Sequence, residues 1–351
     1  MAPSSIELPF ASERVPKKDR PQLSQESTKS NRANEQSQAP PYTIDQLIRP
    51  FSQEVPDEPI VSYPSSGTEY VDYTFRQLDV FAFRLAQKYK FIIPQRTASS
   101  DPETVVGLLG LSSFEYFISI LALTKLGHTV LFLSTRLSTV AYASLLQSTG
   151  AKHLLIDSSF RGIAEKLKNT VPFLGVFDIL DSSAYASAAE NEQTDTRLDH
   201  RFDPAAESAK TAWIIHSSGS TGLPKPIFQT HSAALNNYSS NLELKGLITL
   251  SLYHAHGIGS VFRAIHSRKQ IYMYNADLPQ NQQYLLIIME RYDFQIFYGV
   301  PYALKILGET KEGIAALAKL KVVMFGGSAC PDALGDRSVN NGVNLISHYG
   351  A

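Results

Sequence analysis

The stretch "HSSGSTGLPKPIFQTH", His216 to His231, sets four hydroxyl side chains, two glycines and one lysine within nine positions. Glycines let a backbone adopt positive φ and approach a ligand closely, so that successive N–H groups converge on an anion. Gly219 and Gly222 supply that freedom, and Ser217, Ser218, Ser220 and Thr221 add hydroxyl donors. Lys225 adds a point charge suited to phosphate, and Pro224 and Pro226 fix φ on either side of it and keep a helix from starting there. A polyphosphate is the ligand such a loop would hold. Other templates fail. Lys225 stands between prolines, so G-x-x-x-x-G-K-[ST] does not fit, and neither G-x-G-x-x-G nor G-x-S-x-G is present.

The elements that must position this loop read as an alternation. "TVVGLLG" predicts a strand, "SSFEYFISILALTKLG" a helix ended by Gly127, "HTVLFLS" a strand, "STVAYASLLQSTG" a helix ended by Gly150, and "KHLLID" a strand. Before them, "TIDQLIRPF" and "TFRQLDVFAFRLAQKYK" predict helices with Thr43 and Thr74 as N-caps. The second half resumes with "AWIIHSS" running straight into the loop and the helix "SAALNNYSSNLEL" behind it. "LITLSLYHAHG" reads as a strand and its loop, "QQYLLIIMERYD" as a helix, and "FQIFYGV" as a strand. "VPYALKILGET" is a helix opened by Pro301, and "LKVVMFGG" and "VNLISHYG" are strands running into glycine. Strands alternating with helices of this length pair in parallel. Tyr185 to Ala209, rich in Ala, Ser, Glu, Asp and Asn, reads as a solvated connection.

At 351 residues, the chain is long enough for one large α/β domain or two smaller ones. Met1 to Pro41 carries too few apolar residues to offset a backbone ordering cost of ~1–2 kcal/mol per residue, and reads as a disordered tail over residues 1–41. Lysine plus arginine number 32 against 33 aspartate plus glutamate, which gives no electrostatic pull toward nucleic acid or an anionic membrane and favours a small-molecule partner. No apolar run reaches the ~18 residues of a membrane span, and no secretory signal is evident. The single cysteine, Cys330, excludes an intrachain disulfide, fits a reducing, cytoplasmic setting, and reads as a small buried apolar side chain.

The string "SSGSTGLPKP", Ser217 to Pro226, resembles the phosphate-binding signature of adenylate-forming enzymes, the superfamily of acyl-CoA synthetases, nonribosomal peptide synthetase adenylation domains and luciferases. Further segments are similar in the same order: "ILALTKLGHTVLFLS", the aromatic-His-x-x-Gly segment "LYHAHGIG", the Val-Pro helix "FYGVPYALKIL", the Gly-Gly loop "MFGGSACP", and "HYGA", like the start of a Tyr-Gly-x-Thr-Glu motif. The likeness covers Tyr42 to Ala351. Its wording is most similar to fungal enzymes that resemble nonribosomal peptide synthetases, many of them adenylate-forming reductases.

The resemblance implies the large N-terminal domain of an adenylate-forming enzyme: an α/β fold of two stacked, mainly parallel sheet-and-helix layers, here an AMP-binding adenylation core over 42–351. It implies attack of a carboxylate on the α-phosphate of ATP, giving acyl-adenylate and pyrophosphate, then capture by coenzyme A or a carrier-protein phosphopantetheine. By that resemblance Ser217, Ser218, Gly219, Ser220, Thr221, Gly222 and Lys225 would hold the β,γ-phosphates. Gly326, Gly327, Ser328 and Ala329 would line the adenine. Ser347, His348, Tyr349 and Gly350 would face the base and α-phosphate, and His254 would sit near the carboxylate. Amino-acid-activating relatives place an aspartate where His254 stands, so an aryl or aliphatic acid is expected rather than an α-amino acid. A metal site at His254 and His256 has no third and fourth ligand at metal spacing.

The chain stops before the family's Thr-Glu pair, whose glutamate helps hold Mg²⁺, and before the ribose-binding aspartate, the mobile C-terminal domain with its lysine, and any carrier or reductase domain. The expectation is a core incomplete at the C-terminus and impaired in catalysis, with an uncovered sheet edge. A carrier domain acting in trans is a further partner the resemblance allows, and the alternative functions are an acyl-CoA ligase fragment and a non-catalytic nucleotide-binding or interaction protein.

Overall fold

Among the residues described by the computed structural model (41–186, 195–198, 200–217 and 222–349), thirteen strands and twelve α-helices alternate. The strands are β1 (Pro59–Ser66), β2 (Glu69–Thr74), β3 (Val105–Leu109), β4 (Thr129–Leu133), β5 (His153–Ile156), β6 (Gly175–Asp178), β7 (Thr211–His216), β8 (Pro226–Thr230), β9 (Gly246–Ile248), β10 (Ile271–Met273), β11 (Ile296–Gly299), β12 (Val322–Gly326) and β13 (Leu345–His348). One sheet has the order β6-β5-β3-β4-β7-β8 and the other β13-β12-β11-β9-β10-β1-β2. Pairing is parallel except at β7–β8 and β1–β2. The expected fold class, α/β with two mainly parallel sheets, is the one observed. Of the expected tail over 1–41, residues 1–40 lie outside the described residues.

Side chains of successive strand residues point to opposite faces, so a strand covered on both faces must be apolar throughout. In β3, Val106 and Leu108 join the core between the sheets, while Leu109 faces the outer side. In β4, Val130 and Phe132 point inward and Leu131 and Leu133 outward. The other sheet repeats the rule: Ile296 and Tyr298 enter the shared core, and Phe297, Val323 and Phe325 face away from it. The shared core is filled by Phe75–Tyr89, Phe114–Lys125 and Ala255–His266, helices shielded on two sides. Thr74 caps the first of these as the sequence predicts: its Oγ1 accepts from the N–H of Gln77 at 3.2 Å, and Gln77 Oε1 accepts from the N–H of Thr74 at 2.9 Å. Trp213, the single tryptophan, is fully buried on β7, and its indole N–H donates to the Tyr238 hydroxyl at 2.8 Å.

Three features depart from the sequence reading. "LYHAHG" is only half loop: Leu252, Tyr253 and His254 lie in the loop after a short strand, and Ala255, His256 and Gly257 open a helix. The strand is the three-residue β9, and Ala255–His266 is a helix. The connection read as solvated from Tyr185 to Ala209 is partly core: Tyr185 and Glu207 are each 1% exposed. Glu207 meets Arg96 through two hydrogen bonds of 2.9 and 2.8 Å, and that buried pair ties the connection to the first half. Burial alone would raise the Glu207 carboxyl, but Arg96, Ser99 and Lys210 hold it below the ordinary carboxylate value. Residues 187–194 and 199 lie outside the described residues. Cys330 is partly buried and packs against the edge of the outer core, so the expectation of a small buried apolar side chain is met only in part. Burial first, then Asp332, push its thiol up, so it stays protonated at neutral pH.

Among the described residues no helix is long and apolar enough to cross a membrane.

Candidate functional site

In open α/β sheets, ligands bind beyond the carboxyl ends of parallel strands. Here the ends of both sheets are joined. At the end of β7, His216 Nε2 accepts from the N–H of Ser134, just past β4, at 3.1 Å. That bond leaves the proton on Nδ1, which donates to the Ser217 carbonyl at 2.9 Å. From the other sheet, the loop after β9 reaches across: Leu252 N–H donates to Ser112 Oγ at 2.8 Å, and the Tyr253 hydroxyl lies 3.1 Å from Thr135 Oγ1. Loops after β3, β4, β7 and β9 therefore form one wall.

The glycine-rich loop is closed at its base. Ser217 N–H donates to the Lys225 carbonyl at 3.0 Å, and Lys225 N–H donates to Ser217 Oγ at 2.9 Å. The β7–β8 hairpin continues from there with His216 opposite Pro226, so Pro226 opens a strand that the sequence reading did not anticipate. Lys225 is exposed, and no carboxylate among the described residues pairs with it. Ser218, Gly219, Ser220 and Thr221 lie outside the described residues, as does Gly350.

His254 stands at the N-cap of Ala255–His266, its ring edge-on to Tyr253 at 4.8 Å. Its surface is open to solvent, yet protein crowds the ring on its inner side. Burial first, then the nearby His216 and Arg136, lower its pKa below the ordinary histidine value, so it is a neutral polar group at pH 7. The glycine of the His-x-x-Gly segment has a steric reason to be there. A Cβ on Gly257 would lie 2.0 Å from the carbonyl oxygen of Ser251, so the first turn of the helix packs directly on the loop backbone that carries His254.

The strands β12 and β13 bring the remaining predicted residues together. Gly326 pairs with His348 and Phe325 with Ser347 across parallel strands, and Gly327, Ser328 and Ala329 continue from β12 as an exposed loop. Tyr349 is 92% exposed. Three side chains that sequence reasoning did not assign also belong here: His216, Tyr253 and His256. His216 had a legible signal, its place as the last strand residue before the loop. Tyr253 and His256 stood in the aromatic-His-x-x-Gly segment without a role; the contact of Tyr253 with Thr135 and that of His256 with His348 bring them to the site. Among the described residues, no group of three or more His, Cys, Asp or Glu side chains gathers as a metal ion needs. These residues by themselves do not form the magnesium site that the resemblance implies.

Strands that end in glycine-rich turns, with a lysine beside a hydroxyl-rich stretch of sequence, define an α/β protein with a candidate anion site at its strand ends. The family model described as "AMP-binding enzyme" matches residues 49–351, and the chain belongs to that family, whose shared chemistry is carboxylate adenylation. Among curated proteins, the adenylate-forming reductase stbB of Stachybotrys bisbyi is 28% identical over 297 residues, covering 81% of this chain and 28% of that protein. The chain thus spans under a third of the length of that relative. Among solved structures, the anthranilate CoA ligase AuaEII in complex with anthranoyl-AMP matches with a TM-score of 0.69 at 21% identity, over 88% of this chain and 59% of that one. The N-terminal domain of FACL13 from Mycobacterium tuberculosis matches at 0.70 and 19%, over 88% and 76%. At these identities the two structures establish the fold.

Proposed function

We propose that the chain activates a carboxylic acid with ATP, the acid being aryl or aliphatic rather than an α-amino acid. A carboxylate oxygen attacks the α-phosphorus, the bond from that phosphorus to the bridging oxygen breaks, and pyrophosphate leaves with the electron pair. Ser217, Gly222 and Lys225, with Ser218, Gly219, Ser220 and Thr221, receive the leaving pyrophosphate, and Lys225 offsets the charge that develops on it. Gly326, Gly327, Ser328 and Ala329 accommodate the adenine, and Ser347, His348, Tyr349 and Gly350 its α-phosphate side. His254 lies beside the carboxylate. A neutral imidazole offers no charge partner to a substrate ammonium, which supports the exclusion of α-amino acids. Residues 42–351 act as one adenylation unit, and coenzyme A or a carrier phosphopantetheine is the thiol acceptor of the acyl group.

The observation that carries this reading is Lys225, a cation with no acidic partner among the described residues, whose backbone Ser217 holds at the base of the loop. ATP–pyrophosphate exchange with a panel of aryl, fatty and amino acids tests it. Exchange is expected with an aryl or fatty acid and not with amino acids. AMP binding with no exchange for any acid would instead favour a non-catalytic nucleotide-binding protein.

A further inference from the structure

Two helices on the outer side of the sheet that holds β11 and β12 enclose a groove that the adenylation chemistry does not use. Pro301–Gly308 follows β11 and Asp332–Asn340 follows β12, and both bury side chains in the outer core. They meet at Gly308, where a Cβ would lie 2.9 Å from Leu334 Cδ1. The space left beside that contact is a cavity of about 480 Å³, within the ~300–1,000 Å³ of small-molecule sites. Its apolar lining comes from Pro301, Ala329, Pro331, Ala333 and Leu334. Ala329, Pro331 and Ala333 are exposed, so an apolar group seated on them removes concave apolar surface from water.

The charges that line the groove are unequal. Lys305 and Arg337 face it with Glu309 as the one acid, while Asp332 and Asp336 do not line it. Among the described residues neither cation forms an ion pair. Two positive charges against one negative leave a net charge of +1, the complement of a monoanion. The helix starts add to the same sign, because Val300 and Pro331 stand at the N-cap positions and offer no side-chain acceptor to the first-turn N–H groups. Tyr302, 60% exposed, adds a phenol to the lining.

We infer that this groove is a second ligand site, for a small monocarboxylic acid with an apolar body: the carboxylate meets Lys305 and Arg337, and the body lies along Pro331, Ala333 and Leu334. The planar guanidinium matches the two oxygens of a carboxylate, and the flexible lysine supplies the second cation. A phosphate dianion would set its extra charge against Glu309. The site stands apart from the adenylation reading. Of the residues assigned there to the phosphates, the adenine and the carboxylate, only Ala329 also lines the groove.

Titration calorimetry on the whole chain tests this with three probes of one length: octanoate, octyl phosphate and octanol. Octanoate is expected to bind about tenfold tighter than octanol and at least as tightly as octyl phosphate. Lys305→Gln and Arg337→Gln should each weaken octanoate by about three- to tenfold and leave octanol unchanged. Ala333→Phe fills the groove and removes the binding there. Acid held at the adenylation site responds to none of these changes, so the groove's share is the binding that Ala333→Phe abolishes. Octanoate binding that survives Ala333→Phe intact, or no octanoate binding at all, overturns the assignment and leaves the groove to a protein partner. Octyl phosphate binding tighter than octanoate overturns the choice of a carboxylate. Pyrophosphate exchange separates the two sites. Exchange at the parent rate in Ala333→Phe supports a second site, whereas exchange lost together with octanoate binding makes the groove part of the adenylation site and overturns the assignment. If no acid gives exchange but octanoate binds and Ala333→Phe abolishes it, the adenylation reading falls alone and the groove stands.

Discussion

Replacing Gly257 by alanine adds one methyl group where the structure leaves no room for it. The new carbon would sit 2.0 Å from the Ser251 oxygen and 2.7 Å from its carbonyl carbon, well inside the 3.4–4 Å of ordinary contact. Both atoms are backbone, so no side-chain rotation relieves the overlap. Either the first turn of Ala255–His266 lifts, or the loop from Ser251 to His254 withdraws. The loop is held by the bonds of Leu252 to Ser112 and Tyr253 to Thr135, and by the His254 N–H on the Ser251 carbonyl at 3.2 Å. Overpacking of a rigid site costs ~1–3 kcal/mol, and a broken hydrogen bond at this partly buried join adds ~1 kcal/mol, against a small gain from restricting the unfolded chain. The expected loss is about 2–4 kcal/mol. Denaturant unfolding followed by the fluorescence of Trp213, buried in the central layer, measures it directly. Because the strain falls on the backbone that carries His254, pyrophosphate exchange should fall further than the remaining folded fraction accounts for. A stability within ~0.5 kcal/mol of the parent, the range of an inconsequential surface change, would refute the reasoning.

Lys225→Ala removes a charge but keeps the backbone N–H that Ser217 accepts from, so exchange is expected to fall by about 10²-fold with stability shifted by less than ~0.5 kcal/mol; exchange within twofold of the parent would count against the phosphate loop. Glu207→Ala leaves Arg96, 2% exposed, without its carboxylate partner and is expected to cost about 3–5 kcal/mol in denaturant unfolding; a change under ~1 kcal/mol would show that the pair is not closed in solution. His128 and His231 are held neutral, each at about 4, mainly by burial, while an unfolded histidine titrates near 6.5. Their folded pKa values are depressed, so the unfolded chain binds protons first. Their contribution is fully present above pH ~6.5 and is lost as pH falls toward ~4. Unfolding midpoints measured between pH 7 and 5, above the range where most carboxylates titrate, should decline, and a flat profile would contradict the burial of these rings.

The features legible in the sequence were those with strong local causes. Two-sided burial makes β3, β4 and β7 continuous apolar runs, and the hydroxyl, glycine and lysine spacing marks the loop whatever surrounds it. Ala255–His266 escaped because its first turns contain Gly257 and Gly259, which lower helix propensity by ~1 kcal/mol each and mimic a loop. Strands β9 and β10, three residues each, are too short to establish a period of two. The strands β2 and β8 lie at sheet edges, where side chains such as Phe228 at 56% exposure follow no clear inside-outside rule. The burial of Glu207 had no local signal at all, since its partner Arg96 is 111 residues away. The same holds for His256, whose surroundings come from strands β11, β12 and β13.

The cross-sheet bonds also set the order in which the molecule can be made. Ser112 meets Leu252 across 140 residues of chain, and Thr135 meets Tyr253 across 118. Contacts so distant in sequence close only after large loops have surrendered their entropy, which places them late on a folding trajectory. In a refolding experiment helical signal and tryptophan burial should therefore return before nucleotide binding does, and a nascent chain that has not yet emerged past Tyr253 holds the lysine loop with its opposite wall still missing.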